Sequence, residues 1–166
     1  MPTYHLAQLN VALPLAPLDD PVMAGFVDGL ERLNALADGA PGFVWRLVDS
    51  NGQDATGLRL SEERSDTMVN LSVWESLDAL RDYVYRTAHL DWVRRRRDWF
   101  RHAPGPYQVL WWVPAGHLPA LAEAAERLAL LVAEGPGPDA FTFREAFPAP
   151  AGPVPSVRAP SRAGQP

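Results

Sequence analysis

His89, Arg96 and Asn70 are the residues of this 166-residue sequence whose types and spacing fit proton transfer beside an anionic oxygen. Positions 89, 92, 96 and 99 advance by three, four and three, which places His89, Trp92, Arg96 and Trp99 on one stripe of a helix. Asn70, Ser72 and Trp74 alternate with Val69, Leu71 and Val73, so an amide, a hydroxyl and an indole share one strand face just before that helix. An imidazole so placed can move a proton near neutral pH, and a guanidinium can bind a carboxylate or a developing enolate. His89 equally fits a metal or haem ligand, or a structural ring bonded to a main-chain carbonyl.

The binding set that accompanies these groups is Trp74, Trp92, Ser72, Trp45 and Asn10, with Gln8 beside them. They are expected to line a space between sheet and helices or inside a barrel. The plain alternative is that they bond to one another, to water or to a second copy, because buried amides need partners. His5 falls on the apolar face of the first strand and reads as a satisfied core residue, and His117 follows Ala115-Gly116 as a turn or capping group. Six tryptophans supply much burial area, which serves a core as well as an aromatic ligand.

Composition narrows the chemistry. With no cysteine there is no thiolate nucleophile and no thiolate metal ligand, and with all fifteen basic residues arginine there is no Schiff-base lysine. No His-x-His or His-x-x-x-His spacing occurs, so no metal site is expected; haem, which needs one axial histidine and an apolar pocket, is the cofactor left open. No flavin, nicotinamide or phosphate-binding glycine motif is present. A net charge of −5 argues against nucleic-acid binding. No stretch approaches the roughly 20 apolar residues of a membrane helix. The expectation is a soluble cytoplasmic protein.

The elements that must hold these residues follow from periodicity. A strand is expected over about 4–13 and a helix from Pro21 to Ala37, with Asp20 as its cap and Asp38-Gly39 as its stop. A second strand spans 43–48, a polar excursion 49–66, and a third strand 67–74. Ser76 opens a second helix, which continues over 88–100 to Pro104-Gly-Pro106. A fourth strand covers 107–113, a third helix 117–134, and a short strand 141–143. The domain is read as 1–147, with 148–166 a disordered tail because six prolines fall in nineteen residues with little apolar surface. Strand, helix, strand, strand, helix, strand is the order of a ferredoxin-like unit, an α+β fold. Helices on one sheet face leave the other needing a partner, so a homodimer is expected.

Trp74-Glu-Ser-x-x-Ala-Leu80, the aromatic pair Tyr83 and Tyr85, and then Ala88-His89 resemble the antibiotic-biosynthesis monooxygenase type of dimeric α/β barrel. Tyr4-His-Leu-Ala-Gln-Leu-Asn10, Pro41-Gly-Phe-Val-Trp-Arg46, Arg94 to Phe100 and Leu110-Trp-Trp-Val-Pro-Ala-Gly-His117 are similar to a bacterial domain-of-unknown-function family of that superfamily, over residues 3 to 143. The resemblance implies a dimeric barrel, and it places His89 where many members carry a histidine after the second helix. In the oxygenase branch an Asn and a Trp on the strands and an Arg position an aromatic substrate, a pattern that Asn70 and Trp74 resemble. The implied function is a tailoring enzyme for a hydrophobic aromatic or polyketide-like compound, monooxygenase-like or isomerase-like, without an organic cofactor. A non-catalytic binding or sensing dimer is the alternative, and a haem-dependent enzyme a third.

Overall fold

A computed structural model describes residues 3–50, 52, 54–61 and 66–152. Its centre is β1 (Tyr4–Pro14), whose alternating residues face two different layers. On one side β1 pairs antiparallel with β3 (Met68–Trp74), which pairs in turn with β2 (Phe43–Arg46); on the other it pairs with β5 (Gln108–Pro114). Beyond β5's reach, the two-residue β4 (Phe100–Arg101) pairs with Leu13 and Pro14. With α1 (Ala24–Asp38) after β1 and α2 (Leu77–Arg86) after β3, this is the ferredoxin-like α+β order, followed by α5 (Leu121–Glu134).

Local chemistry explains where the elements start and break. Asp20 accepts a hydrogen bond from the Val22 backbone at 2.9 Å, but the turn it caps, Pro21–Met23, is a 3-10 turn and α1 begins only after it. Ser76 caps α2, accepting from the Ala79 backbone at 3.1 Å. The helix expected over 88–100 is in fact α3 (His89–Arg94), α4 (Arg96–Trp99) and β4. At the break the Arg95 guanidinium binds Asp98 at 3.0 Å and lies 4.6 Å from the Trp99 ring, while Phe100 turns extended to pair with Pro14. α5 starts four residues later than the spacing suggested, because Pro119 disfavours helical backbone at Leu118. The strand expected at 141–143 is a single bridge, Phe141 to Leu110, with both hydrogen bonds at 2.8 Å. The tail read from composition lies mainly beyond residue 152, outside the described residues.

The sheet buries both faces within one chain. Leu6, Trp74 and Leu110 meet α1, α2 and the aromatic arm after α5. Ala7, Leu9, Leu71, Val109 and Trp111 face the other way, onto Ala124, Leu128 and Leu131 of α5 and Ala55 of the 47–60 connection. Glu123 fastens this cover, since it accepts from the Trp111 indole N–H at 3.0 Å and sits 2.7 Å from the His117 imidazole. The face that was expected to need a second copy is thus closed by α5, and its burial does not by itself require a dimer. His5 also lies on the α5 side, and its Nδ1 is buried without a hydrogen-bond partner among the described residues, so the satisfied role expected of it is not met.

Candidate active site

The polar floor of the site comes from register. Asn10 lies opposite Asn70 on one neighbour and Gln108 on the other, giving three amides in a row across β3, β1 and β5. One step along, Gln8 lies opposite Ser72, which lies opposite Arg46. Above this floor, α1 and the α2–α4 segment enclose a cavity of about 230 Å³ that opens to solvent. Asn10, Asn70, Ser72, Trp74, Trp92, His89 and Arg96 all line it.

Their conditions differ. The Trp74 indole N–H donates to Ser72 Oγ at 2.9 Å, and that hydroxyl donates to Gln8 Oε1 at 2.9 Å. Trp74 also stacks on Tyr83 at 5.0 Å and meets Phe43 edge-on at 5.3 Å. Ser72 and Trp74 are therefore satisfied, buried parts of the floor. Asn70 sits exposed at the cavity's open side. Asn10 is half-buried, and its Oδ1 has no partner among the described residues.

Trp45 does not belong to the cavity. A register shift between Phe43 and Trp45 sets Phe43 opposite Trp74 but Trp45 opposite Val73, so its side chain packs on the α5 side. The strand pattern alone could not reveal that bulge.

His89 sits against Tyr83, ring centroids 4.8 Å apart, and its backbone N–H bonds the Thr87 hydroxyl at 3.2 Å. Nδ1 is buried with no partner in hydrogen-bond geometry among the described residues, and the residue lines the cavity. Burial holds the imidazole below its ordinary pKa of 6.5, with the Val84 backbone pulling weakly the other way. The ring is therefore neutral at pH 7, a base with a free lone pair. Tyr83 is pushed the opposite way, well above the ordinary phenol range by burial, and its hydroxyl reaches the Leu33 carbonyl at 3.4 Å.

Arg96 stands at the other end. It donates to the Val11 carbonyl at 3.3 Å and lies 4.6 Å from the Tyr107 ring and 5.5 Å from that of Phe100. No carboxylate among the described residues pairs with it, in contrast to Arg94 and Arg95 with Asp91 and Asp98. Desolvation lowers its pKa, with Tyr107 acting against that, yet a guanidinium stays charged near neutrality. An unneutralised cation lining an aromatic cavity is a ready anion site. No three His, Asp or Glu side chains converge to hold a metal among the described residues.

Sequence reading missed Tyr83, Gln108 and Tyr107 as lining residues. Gln108 shares its strand face with Leu110 and Trp112, a period-two signal that was available, but only pairing with Asn10 turns it into part of the amide row. Two glycines set the opposite wall: a Cβ at Gly29 would fall 2.0 Å from the Trp92 ring, and one at Gly25 would touch Trp99. Gly29→Ala should therefore destabilise the protein, because so close an approach to a packed indole puts the cost toward about 3 kcal/mol, above the roughly 1 kcal/mol that alanine gains in a helix. Denaturant unfolding read by tryptophan fluorescence checks the sign; a more stable variant would show that Trp92 is not wedged there.

Known structures give likenesses of low identity. A cofactor-independent oxygenase, SnoaB from Streptomyces nogalater, is 20% identical with a TM-score of 0.46, over 70% of this chain and 98% of that one. NE2512, a protein of unknown function from Nitrosomonas europaea, is 14% identical with a TM-score of 0.44, over 72% of this chain and 99% of that one. No curated protein matches. A family model described as a domain of unknown function (DUF3291) matches residues 5–157, and the chain belongs to that family.

Proposed function

We propose that the cavity is the active site of a small-molecule enzyme that removes a proton from a hydrophobic aromatic or polyketide-like substrate without an organic cofactor. One observation carries this reading: a half-buried His89, its pKa held low by burial, lines the same cavity as Arg96, a cation without an acidic partner among the described residues. His89 Nε2 takes the proton and Arg96 stabilises the enolate or phenolate oxygen. The carbanion is then either reprotonated at another carbon, an isomerisation, or combines with dissolved oxygen, which after proton return gives a hydroperoxide from substrate plus O₂. Trp92 and Phe26, 5.6 Å apart, wall the apolar side. A porphyrin of four pyrrole rings does not suit about 230 Å³, given that a cavity of about 150 Å³ accommodates one benzene ring.

The test is deuterium exchange at the acidic methylene of β-tetralone, a two-ring carbon acid, followed by NMR in D₂O. Wild-type protein should accelerate it, and Arg96→Gln should lower that acceleration by about 10²-fold, the usual loss when one stabiliser of a developing oxyanion is removed. The second reading, a binding or sensing protein, is favoured by the lack of a carboxylate to orient His89 among the described residues. Ligand binding with no exchange would select it.

A further inference from the structure

The cavity has two different polar ends. At one, His89 packs against Tyr83, which stacks on Trp74, the indole that donates to Ser72; at the other, Arg96 bonds the Val11 carbonyl beside Asn10. The helical side sets the spacing: His89 and Arg96 are seven residues apart on one stripe, about 10 Å at about 1.5 Å each, across the break at Arg95. Between the ends the walls are aromatic, with Trp92 and Trp99 centroids 4.9 Å apart. A cavity of about 230 Å³ is half as large again as the roughly 150 Å³ that holds one benzene ring.

We infer that the site takes a fused two-ring aromatic carrying an anionic oxygen group at one end and a hydroxyl at the other, the anion at Arg96 and the hydroxyl donating to His89 Nε2. This deepens the proposed function and rests on its assignment of the cavity, but it is a statement about binding. The cation has no internal counter-charge among the described residues, so a carboxylate or phenolate gains there what a neutral group does not. The imidazole has a lone pair to offer and little tendency to be charged, so it selects a donor over a second anion.

Tryptophan-fluorescence titration with naphthalene derivatives tests it on the intact protein. A hydroxynaphthoate with its two groups on opposite rings should bind at least about tenfold tighter than naphthoate or naphthol, because each lacks one of the two end contacts. It should equally outcompete the isomer with adjacent groups and the three-ring homologue. Arg96→Gln, which keeps a donor for the Val11 carbonyl, should erase the preference for the carboxylate and keep that for the hydroxyl. Equal affinities across the series, or no binding of any member, would overturn the inference without any variant being needed. Tight, selective binding without β-tetralone exchange would sustain it while sinking the catalytic reading.

Discussion

His89→Ala is expected to lower the rate of proton abstraction by about 10²–10⁴-fold while leaving the fold intact, the usual range for loss of a positioned general base. The ring packs at a tilt against Tyr83 and interacts with the Val84 backbone, modest contacts at the cavity wall, so thermal unfolding should move little. The pH profile sharpens this. Because burial lowers the imidazole pKa from its ordinary 6.5, the base form persists to more acidic conditions, and the acidic limb of kcat/KM should lie below pH 6.5. The sign for stability runs the same way: below 6.5 the unfolded chain takes up the proton first, so this group destabilises the fold as pH falls toward the lower, folded pKa. A limb at or above 6.5 would show that the imidazole is solvated rather than buried.

Trp74→Ala is expected to cost about 3–5 kcal/mol of folding stability, the range for truncating a buried large aromatic. In a protein of this size that corresponds to a melting temperature lower by on the order of 10 °C. Trp74 is 1% exposed, stacks on Tyr83, and supplies the N–H that Ser72 accepts. Its removal opens a cavity and leaves the hydroxyl short of a donor. Asn70→Ala, at an exposed position on the same strand face, should change stability by no more than about 0.5 kcal/mol. Calorimetry of the two variants separates floor from rim; a Trp74 loss under about 1 kcal/mol would mean that the indole faces ligand or solvent instead.

Much of this arrangement is legible in period alone. Alternation along β1 and β3 separates Gln8, Asn10, Ser72 and Trp74 from Ala7, Leu9, Leu71 and Val73, and the structure keeps that division. The helical stripe from His89 to Trp99 likewise reaches one cavity despite the break at Arg95. What period cannot carry is register and docking. The amide row of Asn70, Asn10 and Gln108 exists only through strand pairing, and Trp45 changes sides through a single bulge. Nor does the amphipathic pattern of α5 say which surface it covers. Leu128 and Leu131 dock on the chain's own sheet, whereas alternation alone suggested that the same sheet face awaited a second copy.

The central claim is that His89 is a buried neutral base open to the cavity through Nε2, and histidine-selective nitrogen-15 NMR measures that directly. The account predicts that His89 titrates below 6.5, keeps its proton on Nδ1, and shows a shift at Nε2 when the opposite-ring hydroxynaphthoate is added. His5, His102 and His117, which do not line the cavity, should stay unmoved by that ligand. A His89 that titrates at or above 6.5, carries its proton on Nε2, or ignores the ligand would contradict it.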